Sequence, residues 1–234
     1  MAAHLAHGVV MVALRFPALD ASDRHARIQW WSTTLLARLG IGLAVQGTPR
    51  TGAALLVANH VSWLDIAAIH AVAPQARFVA KADVRRWPLL GTLVAGAGTL
   101  FIERESKRDA LRVGHQVAEA LRGGDMVGVF PEGTTGAGPS LLPFHANLLQ
   151  AAIATATPAQ PVVLRYHQPD CAFSPAVEFV GATTLVRSLW RVACARGLRV
   201  QVQWLDAEAT AEADRRTLAA RLRERIGDAL ARAS

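Results

Sequence analysis

The sequence predicts an α/β protein with a largely parallel central sheet flanked by helices, and three observations carry that prediction. Short apolar runs recur from Ala53 onward, helical periodicities separate them, and neither an internal repeat nor a Ser/Gly/Pro-rich linker divides the 234 residues. Strands that alternate with helices pair in parallel, because each crossover helix returns the chain to the same end of the sheet.

The elements follow in order. Residues 5–14 are apolar, but no Lys or Arg precedes them and Arg15 interrupts the run. That layout differs from a secretory signal peptide, so the mature chain is expected to start where the sequence starts. Asp20-Ala21-Ser22-Asp23 supplies capping residues, and Ile28, Trp31, Leu35 and Leu39 then recur at helical spacing, with Arg24, Arg27 and Arg38 off the stripe. An amphipathic helix of this kind either packs on the domain or lies in a bilayer interface with Trp30 or Trp31 as anchor. Residues 1–42 are therefore read as an N-terminal helical, membrane-associating segment and residues 43–234 as the main domain. Candidate strands are 53–58, 77–80, 99–102, 126–130, 161–165, 176–180 and 198–204. Candidate helices lie near 63–73, 107–122, 145–156 and 185–196, and a last amphipathic helix carries Leu218, Leu222, Ile226 and Leu230.

Composition bounds the function. With 52% apolar and 18% charged residues the chain is no disordered tail. Cys171 and Cys194 are too few for a disulfide scaffold and lack the spacing of a zinc site, which predicts a reducing compartment and no structural metal. The charge-free run 87–102 contains Pro88, Gly91, Gly96 and Gly98. It is shorter than the ~20 residues of a spanning helix. Membrane association is thus expected to be peripheral or monotopic, at the cytoplasmic face. A net charge of +7 suits an anionic membrane, a phosphate-bearing ligand or an acidic partner, or simply a solvated basic surface. Nucleic acid is set aside, because the chain has no long basic run, no aromatic-basic interleaving and a single Tyr.

Three short clusters carry chemistry. Asn59-His60 ends the first candidate strand, and Ser62-Trp63-Leu64-Asp65 has the pattern of a capping box. Five residues on a continuous helix span about 500°, so His60 and Asp65 can meet only because a turn intervenes. A carboxylate on one imidazole nitrogen fixes the tautomer and leaves the other free to take a proton from a hydroxyl. Alternatively, Asp65 only caps the helix and His60 only binds backbone. Gly98-Thr99-Leu100-Phe101-Ile102-Glu103-Arg104 places Arg104 at a strand's carboxyl end, as a planar fork for phosphate or carboxylate or as one half of a surface ion pair with Glu103, Glu105 or Asp109. Phe130-Pro131-Glu132-Gly133-Thr134-Thr135 follows another apolar run, either bringing backbone amides toward a ligand oxygen or forming an ordinary glycine loop.

In this order the three clusters, Asn-His-x-Ser-x-x-Asp, Gly-x-x-Phe-Ile-x-Arg and Phe-Pro-Glu-Gly-Thr, resemble blocks one to three of the glycerolipid acyltransferases, the 1-acylglycerol-3-phosphate acyltransferase family. Lys81 and the segment Trp87-Pro88-Leu89-Leu90-Gly91 look like that family's stretch between the first two blocks, and Gln160-Pro161-Val162-Val163-Leu164 matches its fourth block in part. The resemblance implies a glycerol-3-phosphate acyltransferase-like fold for residues 43–234. It also implies transfer of a fatty acyl group from acyl-CoA or acyl carrier protein to a lysolipid hydroxyl, most simply that of 1-acylglycerol-3-phosphate. His60 would be the general base and Asp65 its orienting carboxylate. Arg104 and Lys81 would hold the acceptor head group, and Glu132, Gly133 and Thr134 would complete the acceptor site. The thioester is already activated, so neither metal nor cofactor is expected beyond the acyl-CoA or acyl carrier protein co-substrate. Thr135 stands where many family members place a basic residue or Ser, which keeps a lyso-aminolipid such as lyso-ornithine lipid in play as the acceptor. Two other classes compete: a hydrolase using Ser62 or another serine as nucleophile, for which the sequence has no G-x-S-x-G elbow, and a non-catalytic membrane-surface binding module.

Overall fold

The computed structural model describes residues 1–87, 89–102 and 107–232. Among these, the apolar runs assemble into a seven-stranded sheet with order β1-β7-β6-β2-β5-β3-β4. The strands are β1 (Gly42–Gln46), β2 (Ala54–Ala58), β3 (Arg77–Lys81), β4 (Leu100–Ile102), β5 (Met126–Val129), β6 (Ala159–His167) and β7 (Arg199–Trp204). Every adjacent pair is parallel except β6 and β7. The expected largely parallel sheet flanked by helices is the architecture observed.

The helices are α1 (Ala2–Val10), α2 (Ala21–Arg38), α3 (Leu64–His70), α4 (Leu90–Gly96), α5 (Lys107–Arg122), α6 (Gln150–Ala154), α7 (Leu185–Cys194) and α8 (Arg215–Arg232). Alternation along β2 decides which layer each side chain meets. Ala54, Leu56 and Ala58 join Leu35 and Leu36 of α2, Leu64 and Ile69 of α3 and Val192 of α7. Leu55 and Val57 face Val117 and Leu121 of α5, Ala152 of α6, and Leu222 and Ile226 of α8. β2 and β5 are buried at every position, as central strands covered on both faces must be. Gly128 in β5 is there for space: a Cβ would lie 2.5 Å from the Phe78 ring.

The N-terminal segment is helical and packs on the domain. Asp20 caps α2 by accepting a hydrogen bond from the Asp23 amide at 2.8 Å. The stripe turns inward, with Leu35 and Leu39 buried and Ile28 and Trp31 half-buried. Trp31 donates to the His4 carbonyl at 3.2 Å while His4 Nε2 bonds the Trp31 carbonyl at 3.0 Å, which latches α1 onto α2. Of the two tryptophans considered as anchors, Trp30 is the exposed one, at 48%. No helix among the described residues is long and apolar enough to cross a membrane.

One expectation needs correction, and two elements were not anticipated. Residues 176–180 form no strand, because they cross the carboxyl end of the sheet with no strand alongside. Their carbonyls are taken by side chains instead: that of Phe179 by the Thr135 hydroxyl, and that of Glu178 by Arg191. β1 was not anticipated because it is a short edge strand, mostly exposed, with an apolar run of only three residues, Leu43-Ala44-Val45. α4 lies within the charge-free run 87–102, where three glycines hid its period.

Candidate active site

The site grows from the end of β2. Beyond Ala58, the Asn59 side-chain amide donates to the Leu164 carbonyl at 2.9 Å and accepts from the Leu164 amide at 2.8 Å. This imitates a strand residue and fastens the chain to β6 just before it turns. His60 then sits in the turn, and Asp65 occupies the first turn of α3.

Asp65 has no exposed surface, and four donors surround its carboxylate. Oδ2 accepts from His60 Nδ1 at 2.8 Å, from the Val61 amide at 2.7 Å and from the Ser62 amide at 2.9 Å. Oδ1 accepts from the Tyr166 hydroxyl at 2.8 Å. Capping and imidazole orientation, which the sequence left as alternatives, are thus performed by one carboxylate. Only half of a capping box forms: Asp65 reaches back to the Ser62 amide, whereas the buried Ser62 hydroxyl has no partner among the described residues. With Nδ1–H donated to Asp65, Nε2 of His60 carries the lone pair, and the side chain is 20% exposed.

The Phe130-Pro131-Glu132 segment closes the other side. The His60 ring stacks on Phe130 with centroids 4.0 Å apart, and Phe130 stacks in turn on Phe78 at 5.5 Å. Glu132 Oε1 accepts from the His60 amide at 2.7 Å and Oε2 from the Leu142 amide at 2.8 Å, while the Gly136 amide donates to the His60 carbonyl at 2.7 Å. Burial pushes the Glu132 carboxyl above its ordinary value, opposed by these two amide bonds. Gly133 has φ +72°, and the His145 ring lies 3.0 Å from where its Cβ would stand, so a side chain is doubly disfavoured.

The remaining candidates divide. Thr134 is exposed on the same loop, and Lys81 is exposed at the end of β3, in register with Ile102 at the end of β4. Arg104 lies outside the described residues. Because β2, β5, β3 and β4 are parallel neighbours, His60, the 132–134 loop and Lys81 stand along one end of the sheet, where α/β proteins place their ligands. A cleft of about 540 Å³ elsewhere on the β3–β4 side is lined by Arg77, Arg85, Phe101 and Glu119 and includes none of the His60 cluster. Tyr166 was missed by sequence reasoning, although it is the single tyrosine of the chain and follows the apolar run Pro161–Leu164 of the strand beside β2. A lone hydroxyl in such a strand was the available signal.

The family model described as Acyltransferase matches residues 43–165, from β1 through nearly all of β6. The chain belongs to the glycerolipid acyltransferase family. This acyltransferase is 36% identical over 217 residues to a lyso-ornithine lipid O-acyltransferase of Pseudomonas aeruginosa, covering 92% of this chain and 83% of that protein. It is 39% identical over 198 residues to a 1-acyl-sn-glycerol-3-phosphate acyltransferase of Neisseria meningitidis, covering 82% of this chain and 76% of that one. Its fold is similar to the crystal structure of the 1-acyl-sn-glycerophosphate acyltransferase PlsC from Thermotoga maritima, with a TM-score of 0.69, 19% identity, and coverage of 95% of this chain and 86% of that one. The chain is accordingly an O-acyltransferase, and the matched region contains His60, Asp65 and Glu132.

Proposed function

We propose that this acyltransferase moves a fatty acyl group from acyl-CoA or acyl carrier protein to the free hydroxyl of a lysolipid, with 1-acylglycerol-3-phosphate as acceptor and phosphatidic acid as product. The observation that carries the reading is the 2.8 Å contact between His60 Nδ1 and a fully buried Asp65, which leaves Nε2 as a base at the sheet's ligand-binding end. Nε2 takes the proton of the acceptor hydroxyl as its oxygen attacks the thioester carbonyl carbon. The tetrahedral intermediate then expels the thiolate, which leaves with the proton held on His60. Asp65 stays ionised and stabilises the imidazolium. A positioned base of this kind contributes ~10²–10⁴-fold.

Lys81, at the end of β3, and Arg104, which follows β4 in the sequence, are the cations for the head group, and Gly133 and Thr134 on the loop after β5 complete the acceptor site. Glu132 acts differently from the role its motif suggested: both carboxylate oxygens hold backbone amides, so it positions His60. The protein works at the cytoplasmic face of an anionic membrane as a peripheral or monotopic enzyme. Exposed Val10, Leu14 and Trp30 on the N-terminal segment support that reading.

A second acceptor, lyso-ornithine lipid, is favoured by Thr135. Its hydroxyl donates to the Phe179 carbonyl, so the position where the family resemblance leads one to expect a basic residue or Ser offers no charge to a phosphate. Purified enzyme incubated with each thioester donor and each acceptor decides between them. Transfer to lysophosphatidate, with Arg104→Ala raising the acceptor KM far more than the thioester KM, is the expected result. Transfer to lyso-ornithine lipid alone would move the assignment to the second acceptor, and hydrolysis without transfer would overturn both.

A further inference from the structure

α7 turns an apolar stripe to solvent at the active-site end of the sheet. Val186 is 79% exposed and Trp190, one helical turn later, 72%. Val180, just before the helix, is 37% exposed. The opposite side of α7 is fixed to the domain through buried Ser188 and Val192. The stripe is therefore an outward face of an anchored helix.

Topology sets its location. β6 and β7 are antiparallel, with His167 opposite Arg199, so the whole connection between them leaves and re-enters the sheet at the end where β2 delivers His60. Direct bonds tie this connection to the catalytic turn. The Phe179 amide donates to the Val61 carbonyl at 3.3 Å, the Trp63 indole donates to the Ser188 hydroxyl at 3.1 Å, and Thr135 donates to the Phe179 carbonyl. The helix and the chain that follows it carry only positive charge, and the one nearby carboxylate in the sequence, Glu178, precedes Val180. From residue 179 to residue 205 there is no Asp or Glu, while Arg187, Arg191, Arg196 and Arg199 are present. Arg191 is engaged with the Glu178 and Pro175 carbonyls, and the other three are exposed.

We propose that α7 is a lipid-contacting helix of the catalytic domain itself, whose Val180, Val186 and Trp190 enter the interface of an anionic bilayer beside the site, independently of the N-terminal segment. A Trp and an apolar neighbour with exposed Arg187 on the same helix and Arg196 just past its end match a bilayer surface, where an indole sits at head-group level and guanidinium groups meet lipid phosphates. The proposal rests on the acyltransferase reading only in that its acceptor is a membrane lipid. This contact lets a lysolipid pass from the bilayer to His60 without crossing water.

The test uses the full chain and does not depend on turnover. Wild type, Val186→Ser/Trp190→Ser and Arg187→Gln/Arg196→Gln are sedimented with phosphatidylcholine vesicles with and without phosphatidylglycerol, with His60→Ala as a catalytically dead control. The serine pair is expected to lower partitioning on anionic vesicles at least tenfold. It should keep the wild-type circular dichroism spectrum and wild-type turnover on a short-chain, monomeric lysolipid. The glutamine pair should lower only the anionic component, and His60→Ala should bind like wild type even if no transfer activity is ever found. Unchanged partitioning of the serine pair would overturn the proposal. So would a concentration-dependent dimer abolished by the serine pair, or loss of acyl carrier protein binding with vesicle binding intact, because each assigns the stripe to another occupant.

Discussion

At the scale of single residues the site depends on how Asp65 is satisfied. A carboxylate without exposed surface is costly unless every lone pair is used, and here His60, two turn amides and Tyr166 supply the donors. The three local donors follow from the spacing of the first block, which is why that part of the site was legible in the sequence. Tyr166 was not, because it is 101 residues away and reaches Asp65 only through the pairing of β6 with β2. Tyr166→Phe keeps the ring and removes one bond to Asp65. Asp65 is then held by three donors instead of four, and the imidazole it orients is less firmly placed. We expect kcat to fall about tenfold, equivalent to ~1.4 kcal/mol, with little change in acceptor KM. The unfolding midpoint should fall as well, because a buried carboxylate oxygen loses its donor. An unchanged kcat in steady-state kinetics would reduce Tyr166 to a packing residue.

At the scale of elements, two loops from neighbouring strands are stapled by Glu132, which holds the amide of His60 after β2 and that of Leu142 beyond β5. The motif made Glu132 visible in the sequence but not its task, since its partners are backbone groups that carry no sequence signature. Glu132→Gln presents an NH₂ to one of these two amides, donor against donor. It should cost about 1–3 kcal/mol in thermal or denaturant unfolding and lower kcat more than it raises either KM. A selective rise in acceptor KM, with stability unchanged, would instead return Glu132 to the acceptor site. Elements that bury a continuous apolar run, such as β2 and β5, were readable from pattern alone. The edge strand β1 and the 176–180 segment were not, because pairing partners rather than side chains decide whether such stretches become strands.

At the scale of the whole molecule, stability and acidity are linked through the α3–β3 junction. His70 is buried, bonds the Ala76 carbonyl at 2.9 Å and meets the edge of Phe78, and burial lowers its pKa to about 4. Between that value and the ordinary 6.5 the unfolded chain binds a proton that the folded chain does not, so its contribution is complete above pH 6.5 and is lost as pH falls. The loss approaches roughly 3 kcal/mol near pH 4. Urea unfolding at pH 7 and pH 5 should show a smaller pH dependence for His70→Gln than for wild type. Equal slopes would mean that His70 is charged in the native state.

The sheet, its two helical layers and the turns at one of its ends together place a single base where the acceptor hydroxyl arrives, and the most direct test is acyl transfer by His60→Ala. Turnover of labelled acyl thioester to the lysolipid should drop by at least ~10²-fold, with the circular dichroism spectrum and unfolding midpoint near wild type. Retention of more than about a tenth of wild-type turnover by a folded His60→Ala protein would contradict the assignment of His60 as the general base.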